Sequence, residues 1–178
     1  MQIRRLFPAL ILGLLAMASS ASAAPLDVGA AAPLVSGTTE TGTTLNFGDV
    51  YKQHAYTLVY FYPRAETSGC TAQGCSLRDA YEQLTKKGVT VIGVSTDTAA
   101  KQAEFKEKQH FPFTLIADPD KKIIDAFGVG TLWLPVLGTM AHRQAYLVHD
   151  GKIVYADHDG STKRQAQDIL DFLAKNGG

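Results

Sequence analysis

Cys70 and Cys75 are the only two thiols of the 178-residue chain, and they lie where an apolar segment gives way to a helical pattern. The apolar residues 58–62 end at Pro63, which cannot donate a sheet hydrogen bond and therefore closes a central strand. After the polar loop 64–69, apolar side chains recur with the spacing of one helix face, at Leu77, Ala80, Tyr81 and Leu84. Cys70 is therefore predicted at a helix start, where unpaired N–H groups and the helix dipole favour the reactive thiolate.

The spacing of the two cysteines separates them within such a helix. Five residues correspond to a rise of about 7.5 Å and a rotation of about 140°, which places the two Cα atoms roughly 8 to 9 Å apart. Because a disulfide joins Cα atoms at most about 7 Å apart, Cys70 and Cys75 can bond only after the first turns unwind. This spacing favours a cycling redox pair. A single structural disulfide in an exported protein is the alternative interpretation.

The loop before Cys70 supplies groups for a small polar pocket around the thiolate. The Thr67 hydroxyl, three residues ahead, can donate to and accept from a hydroxylic substrate, and it can also cap the helix. Gly69 lets backbone N–H groups approach closely, and Pro63 fixes the entry of the loop. We therefore expect Thr67, Pro63 and Gly69 to surround the sulfur of Cys70.

Strand and helix patterns alternate on either side of this loop. Residues 34–36 and 45–47 flank a Thr/Gly-rich turn and predict a short hairpin. The apolar segments 57–62 and 89–95 predict buried strands, joined through a helix that begins near Cys70 and ends around residue 87. Strand, helix and strand then form a right-handed βαβ unit. Further on, the pattern predicts a helix over 98–109, a strand over 113–116 and a short helix over 121–127.

The last third of the chain predicts a hairpin and a closing helix. Residues 128–141 are apolar but interrupted by glycines and a proline, so we predict a loop or a single helical turn. Its dense apolar side chains favour core packing, and a substrate mouth or a dimer contact lined by Trp133 and its neighbours is the alternative. Residues 145–148 and 153–155 predict a hairpin around an Asp-Gly turn, and residues 162–175 an amphipathic helix. This order predicts a three-layer α/β domain, a central mixed sheet flanked by helices in a thioredoxin-like arrangement.

The first 23 residues have the order of a cleaved secretory signal, with Arg4 and Arg5, an apolar stretch over 6–17 and small residues at 21–23. The apolar stretch is shorter than the roughly 20 residues of a membrane anchor. We predict a signal over 1–23, one domain over 24–178, and export, most simply to a bacterial periplasm. That domain has 15 basic and 17 acidic residues, so its charge does not favour nucleic acid. We expect no membrane contact after signal cleavage.

Residues 60–79, YFYPRAETSGCTAQGCSLRD, resemble the active-site segment of peroxiredoxins of the bacterioferritin comigratory protein or peroxiredoxin Q type. The shared pattern is a proline, three residues, a threonine, two residues and the peroxidatic cysteine, matched by Pro63, Thr67 and Cys70. Cys75 matches the resolving cysteine of many members. The resemblance implies a peroxiredoxin fold and covers nearly all of the chain after the signal.

A later segment, HRQAYLVHDGKIVY over residues 142–155, resembles a hairpin in which an arginine precedes a strand, so Arg143 matches the active-site arginine. The resemblance implies a peroxidase for hydrogen peroxide and organic hydroperoxides. Cys70 would attack the peroxide while Thr67 and Arg143 hold it, and Cys75 would convert the sulfenic acid to an intramolecular disulfide. A thioredoxin-like dithiol reductant and a monomer or weak dimer are also implied.

Two other protein classes compete with this interpretation. An exported thioredoxin-like disulfide oxidoreductase usually has two residues between its cysteines, and a copper-delivery protein three and a later histidine; four separate Cys70 from Cys75. The third class is a non-enzymatic binding module held by a disulfide. We predict no cofactor, since no phosphate loop or dinucleotide fingerprint follows a strand. We also predict no metal site, because metal-ligand spacing is absent among the histidines, His54, His110, His142, His149 and His158.

Overall fold

The computed structural model describes residues 24–177, and the predicted signal over 1–23 lies outside this range. Within the described residues, no helix is long and apolar enough to cross a membrane. The strands are β1 (Ser36–Thr39), β2 (Thr44–Asn46), β3 (Tyr56–Phe61), β4 (Val89–Ser95), β5 (Thr114–Ala117), β6 (Thr131–Leu134), β7 (Gly138–Ala141), β8 (Gln144–His149) and β9 (Lys152–Asp157). The helices are α1 (Phe47–Gln53), α2 (Ser68–Asp79), α3 (Tyr81–Lys86), α4 (Ala99–Gln109), α5 (Lys122–Ala126) and α6 (Gln165–Lys175).

Seven strands form one mixed sheet in the order β2-β1-β5-β4-β3-β8-β9. The central strands β3, β4 and β5 run parallel, whereas β1, β8 and β9 pair antiparallel with their neighbours. Five of the six residues of β3 are buried, as expected for a strand covered on both faces. The predicted hairpins at both ends of the sheet, β1–β2 and β8–β9, are confirmed.

Helices cover both faces of this sheet, each over its own apolar core. Alternate side chains of β3 point to opposite faces, Leu58 and Tyr60 to one core and Val59 and Phe61 to the other. The first core includes side chains of α2, α3, α4 and α6, and the second those of α1 and α5. The predicted three-layer arrangement is confirmed, and it places the end of β3 directly before the loop that leads to Cys70.

The helix that we predicted from Cys70 to about residue 87 is in fact two helices. It breaks at Ala80, whose backbone (φ −99°, ψ 6°) ends α2 and begins α3. Leu77 and Leu84, on either side of the break, are both fully buried. Their helical spacing therefore persists across the break, which is why the apolar pattern does not reveal it.

The prediction of a loop or helical turn over 128–141 is wrong, because this segment contains the antiparallel hairpin β6–β7. The expectation of core side chains is met only in part. Val129 and Ala141 are buried in the second core, whereas the large apolar residues Leu132, Trp133, Val136 and Leu137 are exposed. Two side chains tie the hairpin to the domain. Thr96 donates its hydroxyl to the Thr139 carbonyl at 2.7 Å, and Arg64 donates to the Leu137 carbonyl at 2.7 Å.

Candidate active site

Cys70 is the third residue of α2, so the structure places it at the helix start that the pattern predicted. Thr67 is the N-cap residue, and its extended backbone turns the chain from the loop into the helix. The N–H groups at the first positions of a helix have no intrahelical acceptor and can stabilise an anion. The thiol is only 1% exposed and belongs to the first core. Cys70 is thus a buried sulfur beside free backbone donors.

Arg143 reaches this sulfur from the residue that precedes β8. Its Nη2 atom lies 3.4 Å from Cys70 Sγ, and its Nη1 atom donates to the amide oxygen of Gln73. The antiparallel pairing of β3 with β8 brings the start of β8 next to the end of β3. Residues separated by 73 positions therefore meet, and the arginine assigned by resemblance lies at the cysteine.

Gln73 is a site residue that the sequence interpretation missed. It is fully buried, and its Nε2 atom donates to Gln165 Oε1 at 2.9 Å while its own oxygen accepts from Arg143. Gln73 follows Cys70 by three helix positions, which puts both side chains on one face. That spacing could have identified Gln73. Gln165, at the start of α6, carries no comparable local signal.

Two glycines leave the space that the arginine occupies. A Cβ atom added at Gly160 would lie 2.9 Å from Arg143 Cγ, and one at Gly69 would lie 3.2 Å from Nη2. The Gly160 N–H also donates to the Arg143 carbonyl at 3.0 Å. Gly69 therefore leaves room for the guanidinium, and its predicted role toward a substrate stays a prediction.

The loop between β3 and α2 is fixed by carboxylates and lysines. Asp97 accepts from the Ala65 N–H at 2.7 Å and from the Ser95 hydroxyl at 2.7 Å. Glu66, at a positive φ of 63°, forms ion pairs with two lysines of α4, Lys101 at 3.2 Å and Lys108 at 2.7 Å. Hydrogen bonds from Lys108 and Lys101 hold the pKa of Glu66 below its usual value. These contacts anchor the loop to β4 and α4.

Thr67 and Pro63 lie in this loop, where Thr67 contacts the loop backbone and Pro63 lines a cleft. The exposed Thr67 hydroxyl donates to the Arg64 carbonyl at 3.0 Å. Its carbonyl accepts the Thr71 N–H at 2.8 Å and so begins the helical ladder. Pro63 lines a cleft together with Arg143. The role of the Thr67 hydroxyl toward a substrate stays a prediction.

Cys75 lies in the same helix as Cys70, and both are free thiols. Its sulfur is half-buried and donates to Gln109 Oε1 at 3.8 Å. Both cysteines belong to one uninterrupted α2, so the helical separation of roughly 8 to 9 Å between their Cα atoms applies. The structure therefore describes the reduced protein with its thiols apart.

The Tyr60 hydroxyl lies close enough to the site to be affected by its charges. Burial raises the pKa of Tyr60 well above its ordinary value, and the charges of Tyr62, Cys70 and Cys75 raise it further, while Arg143 lowers it. Among residues 24–177 this hydroxyl has no hydrogen-bond partner. Tyr60 is thus a neutral, buried group in the same core as Cys70.

A cleft of about 290 Å³ opens beside the arginine. Leu132 and Met140 of the β6–β7 hairpin and Pro63 give it apolar lining, and Arg143, His142, His158 and Asp159 give it polar lining. A small molecule bound there would contact both a cation and apolar carbon. Part of the β6–β7 hairpin therefore borders the site.

Across the part of the chain that the structure describes, no group of three or more His, Cys, Asp or Glu residues is arranged to hold a metal ion. The site chemistry carried by the described residues consists of one buried thiol, one guanidinium, helix N–H groups and a second thiol. A sulfur nucleophile with a cation to stabilise a departing oxyanion is the arrangement of a thiol-based enzyme of the thioredoxin fold.

Comparison with known proteins identifies the family within that class. Residues 28–156 match the model of the AhpC/TSA family, and the chain belongs to this family. Peroxiredoxin Bcp of Escherichia coli strain K12 is 37% identical over 155 residues, which are 85% of this chain and 98% of that protein. Chloroplastic peroxiredoxin Q of Oryza sativa subsp. japonica is 44% identical over 97 residues, 54% of this chain and 43% of that protein.

Structural comparison also finds a protein of the peroxiredoxin class. The crystal structure of peroxidoxin BcpB from Mycobacterium tuberculosis aligns with a TM-score of 0.78 and 25% identity, covering 85% of this chain and 98% of that one. The predicted thioredoxin-like peroxiredoxin fold is thereby confirmed. The protein is a peroxiredoxin, an enzyme with thiol peroxidase activity.

Proposed function

We propose that Cys70 is the peroxidatic cysteine and that it reduces both hydrogen peroxide and organic hydroperoxides. The observation that carries this proposal is the 3.4 Å contact between Arg143 Nη2 and the sulfur of Cys70, at the first turn of α2. A cation and a helix start favour the thiolate there. The same groups are placed to hold the oxygens of a peroxide.

In the first step the Cys70 thiolate attacks the terminal peroxide oxygen, forms an S–O bond and breaks the O–O bond. The leaving hydroxide or alkoxide takes up a proton. Arg143, the first-turn N–H groups and the Thr67 hydroxyl stabilise the charge that develops on the oxygens. For Thr67 this requires its hydroxyl to leave the Arg64 carbonyl and turn toward the substrate.

In the second step Cys75 attacks the Cys70 sulfenic acid, and the two form an intramolecular disulfide with loss of water. Because α2 holds the cysteines farther apart than a disulfide allows, its first turns must unwind for this step. An external thioredoxin-like dithiol then reduces the disulfide. The free state of both thiols and their placement in one helix support this order.

The cleft beside Arg143 supports organic hydroperoxides as substrates along with hydrogen peroxide. Pro63, Leu132 and Met140 would cover the carbon portion while the peroxide oxygens lie at the arginine. The 37% identity to peroxiredoxin Bcp supports assignment to the bacterioferritin comigratory protein or peroxiredoxin Q type. The same type leads us to propose a monomer or weak dimer.

We also propose that residues 1–23 are a cleaved export signal and that the enzyme acts outside the cytoplasm, in a bacterial periplasm. The support is the order of basic, apolar and small residues in that segment. Fractionation of cells that produce the tagged full chain tests this part. Mature protein beginning near Ala24 in the periplasmic fraction supports it, and an unprocessed chain in the cytosolic fraction contradicts it.

The reaction itself is tested by consumption of hydrogen peroxide and of cumene hydroperoxide with dithiothreitol as donor. We expect Cys70→Ser to abolish consumption. With a dithiol donor that cannot itself reduce the Cys70 sulfenic acid, Cys75→Ser should retain the first turnover and then lose activity through over-oxidation of Cys70. Peroxide loss that is unaffected by Cys70→Ser would contradict the assignment of the peroxidatic cysteine.

A further inference from the structure

The guanidinium of Arg78 is fixed beside Cys75 by three hydrogen bonds. Arg78 follows Cys75 by three helix positions, which puts both on one face of α2. Its Nη1 atom donates to the Gln109 carbonyl at 2.7 Å, and its Nε and Nη2 atoms contact Asp79 Oδ1 at 2.9 and 2.8 Å. A side chain held at three nitrogens keeps its charge in one place.

Cys75 and Arg78 meet at the same residue of α4. The Cys75 thiol donates to the side-chain oxygen of Gln109, and Arg78 binds the main-chain oxygen of that residue. The hydrogen bond to Asp79 is the largest influence raising the pKa of Arg78, and both the charge of Cys75 and a hydrogen bond to it add to the increase. Both side chains therefore lie on one face of α2 and both contact Gln109, which places the guanidinium next to the sulfur.

We propose that Arg78 is a catalytic residue of the resolving step, in which it stabilises negative charge on the sulfur of Cys75. This inference rests on the proposed role of Cys75 as the resolving cysteine. Each thiol then has an arginine nearby: Arg143 contacts Cys70, and Arg78 shares Gln109 with Cys75. The first serves the reaction with peroxide, and the second serves the formation of the disulfide.

The step balances without a further reactant. Cys75 gives its proton to solvent, and its thiolate attacks the sulfur of the Cys70 sulfenic acid. The S–S bond forms as the S–O bond breaks, and the departing hydroxide is protonated to water. Cys75 is oxidised while the sulfenic sulfur is reduced.

Asp79 leaves the charge of Arg78 available to the sulfur. The Asp79 side chain is 68% exposed, so water screens its carboxylate, whereas the Arg78 side chain is 32% exposed and lies against α4. Tyr60, whose pKa also responds to Cys75, is kept neutral by burial. Arg78 is thus a cation placed to attract the Cys75 thiolate.

The test is a single-turnover experiment in which the reduced full chain is mixed with one equivalent of hydrogen peroxide, quenched with dimedone and analysed by mass spectrometry. We expect Arg78→Met to form the sulfenic acid at the wild-type rate. Its conversion to the disulfide should be slower by about tenfold, the effect of one lost charge-assisted interaction. In a parallel reaction with excess hydrogen peroxide, which supplies the second oxidising equivalent, the yield of sulfinic acid on Cys70 should rise.

Arg78→Lys separates charge from structure, because it keeps the cation but loses the fork that binds Gln109 and Asp79. We expect it to resolve within about threefold of wild type. Arg164→Met, which removes a surface arginine paired with Asp168, is the matched control and should leave both rates unchanged. Disulfide formation at the wild-type rate in Arg78→Met, or an equal loss in Arg78→Lys, would overturn the proposal.

A second measurement covers the case in which Arg78→Met perturbs the fold. This measurement is the rate at which iodoacetamide alkylates Cys75 in the Cys70→Ser chain. The rate should fall when Arg78→Met is added and should be restored with Arg78→Lys. An unchanged rate in Arg78→Met would overturn the proposal. If instead Cys75 is not the resolving cysteine, the wild-type chain itself will form no Cys70–Cys75 disulfide. This result is distinguishable from an error in the role of Arg78 alone.

Discussion

Replacement of Arg143 by methionine should selectively slow the reaction of Cys70 with peroxide. The variant keeps most of the aliphatic stem, which Gly160 accommodates, but removes the charge 3.4 Å from the sulfur. Hydrogen bonds to charged groups contribute about 1.5 to 3 kcal/mol, which corresponds to a rate loss on the order of 10- to 100-fold. The buried Gln73 oxygen also loses its donor, so we expect the upper part of this range.

The assay is rapid mixing of the reduced chain with excess hydrogen peroxide, followed by dimedone trapping of the Cys70 sulfenic acid. Arg143→Lys should lose less than Arg143→Met because it keeps the positive charge. It should still be slower than wild type, because one ammonium cannot contact Cys70 and Gln73 together with a fork geometry. Arg164→Met is the control for loss of an arginine elsewhere on the surface. A sulfenic acid rate for Arg143→Met within about threefold of wild type would refute the transition-state role assigned to this arginine.

Three further variants test the surroundings of the site. Gln73→Leu removes the buried acceptor that orients Arg143, so the rate of sulfenic acid formation should fall by about tenfold, with exposed Gln167→Leu as its control. Leu132→Ser removes part of the apolar lining of the cleft, so the KM for cumene hydroperoxide should rise while kinetics with hydrogen peroxide stay unchanged. Val136→Ser, on the same hairpin but 92% exposed, should change neither. Gly74→Ala would place a Cβ atom 2.4 Å from the ring of Phe111, so the free energy of unfolding in urea should fall by about 1 to 3 kcal/mol.

Each of these variants has an opposite outcome that counts against the structural argument. An unchanged rate for Gln73→Leu would mean that Arg143 is oriented without it. Equal effects of Leu132→Ser on both substrates would mean that the cleft does not bind the carbon portion of the organic hydroperoxide. An increase in stability for Gly74→Ala would mean that better helix propensity outweighs the contact with Phe111.

The sequence predicted those elements whose structure follows from the pattern of neighbouring residues. The strands β3 and β4 are continuous apolar segments, and Cys70 follows a strand, a proline and a polar loop, so its place at a helix start could be predicted. The Arg143 position came from resemblance, because no local pattern links it to a residue 73 positions away. Pairing of β3 with β8 produces that contact.

Two features depend on packing that sequence periodicity does not report. The β6–β7 hairpin is an apolar segment with glycines and a proline, which is ambiguous between strand, turn and loop until its two halves pair. Its exposed leucine and tryptophan side chains also break the expectation that dense apolar sequence is core. Gln73 and Gln165 meet only because α6 packs on α2, so their buried hydrogen bond has no signature in either segment.

The central claim, a two-cysteine cycle within one helix, is tested most directly by the mass of the chain after one turnover. One equivalent of hydrogen peroxide should remove two hydrogens from the wild-type chain and produce a peptide that joins Cys70 to Cys75. The Cys75→Ser chain should instead gain one oxygen, located on Cys70. A wild-type chain that gains oxygen without forming this linked peptide would contradict the account.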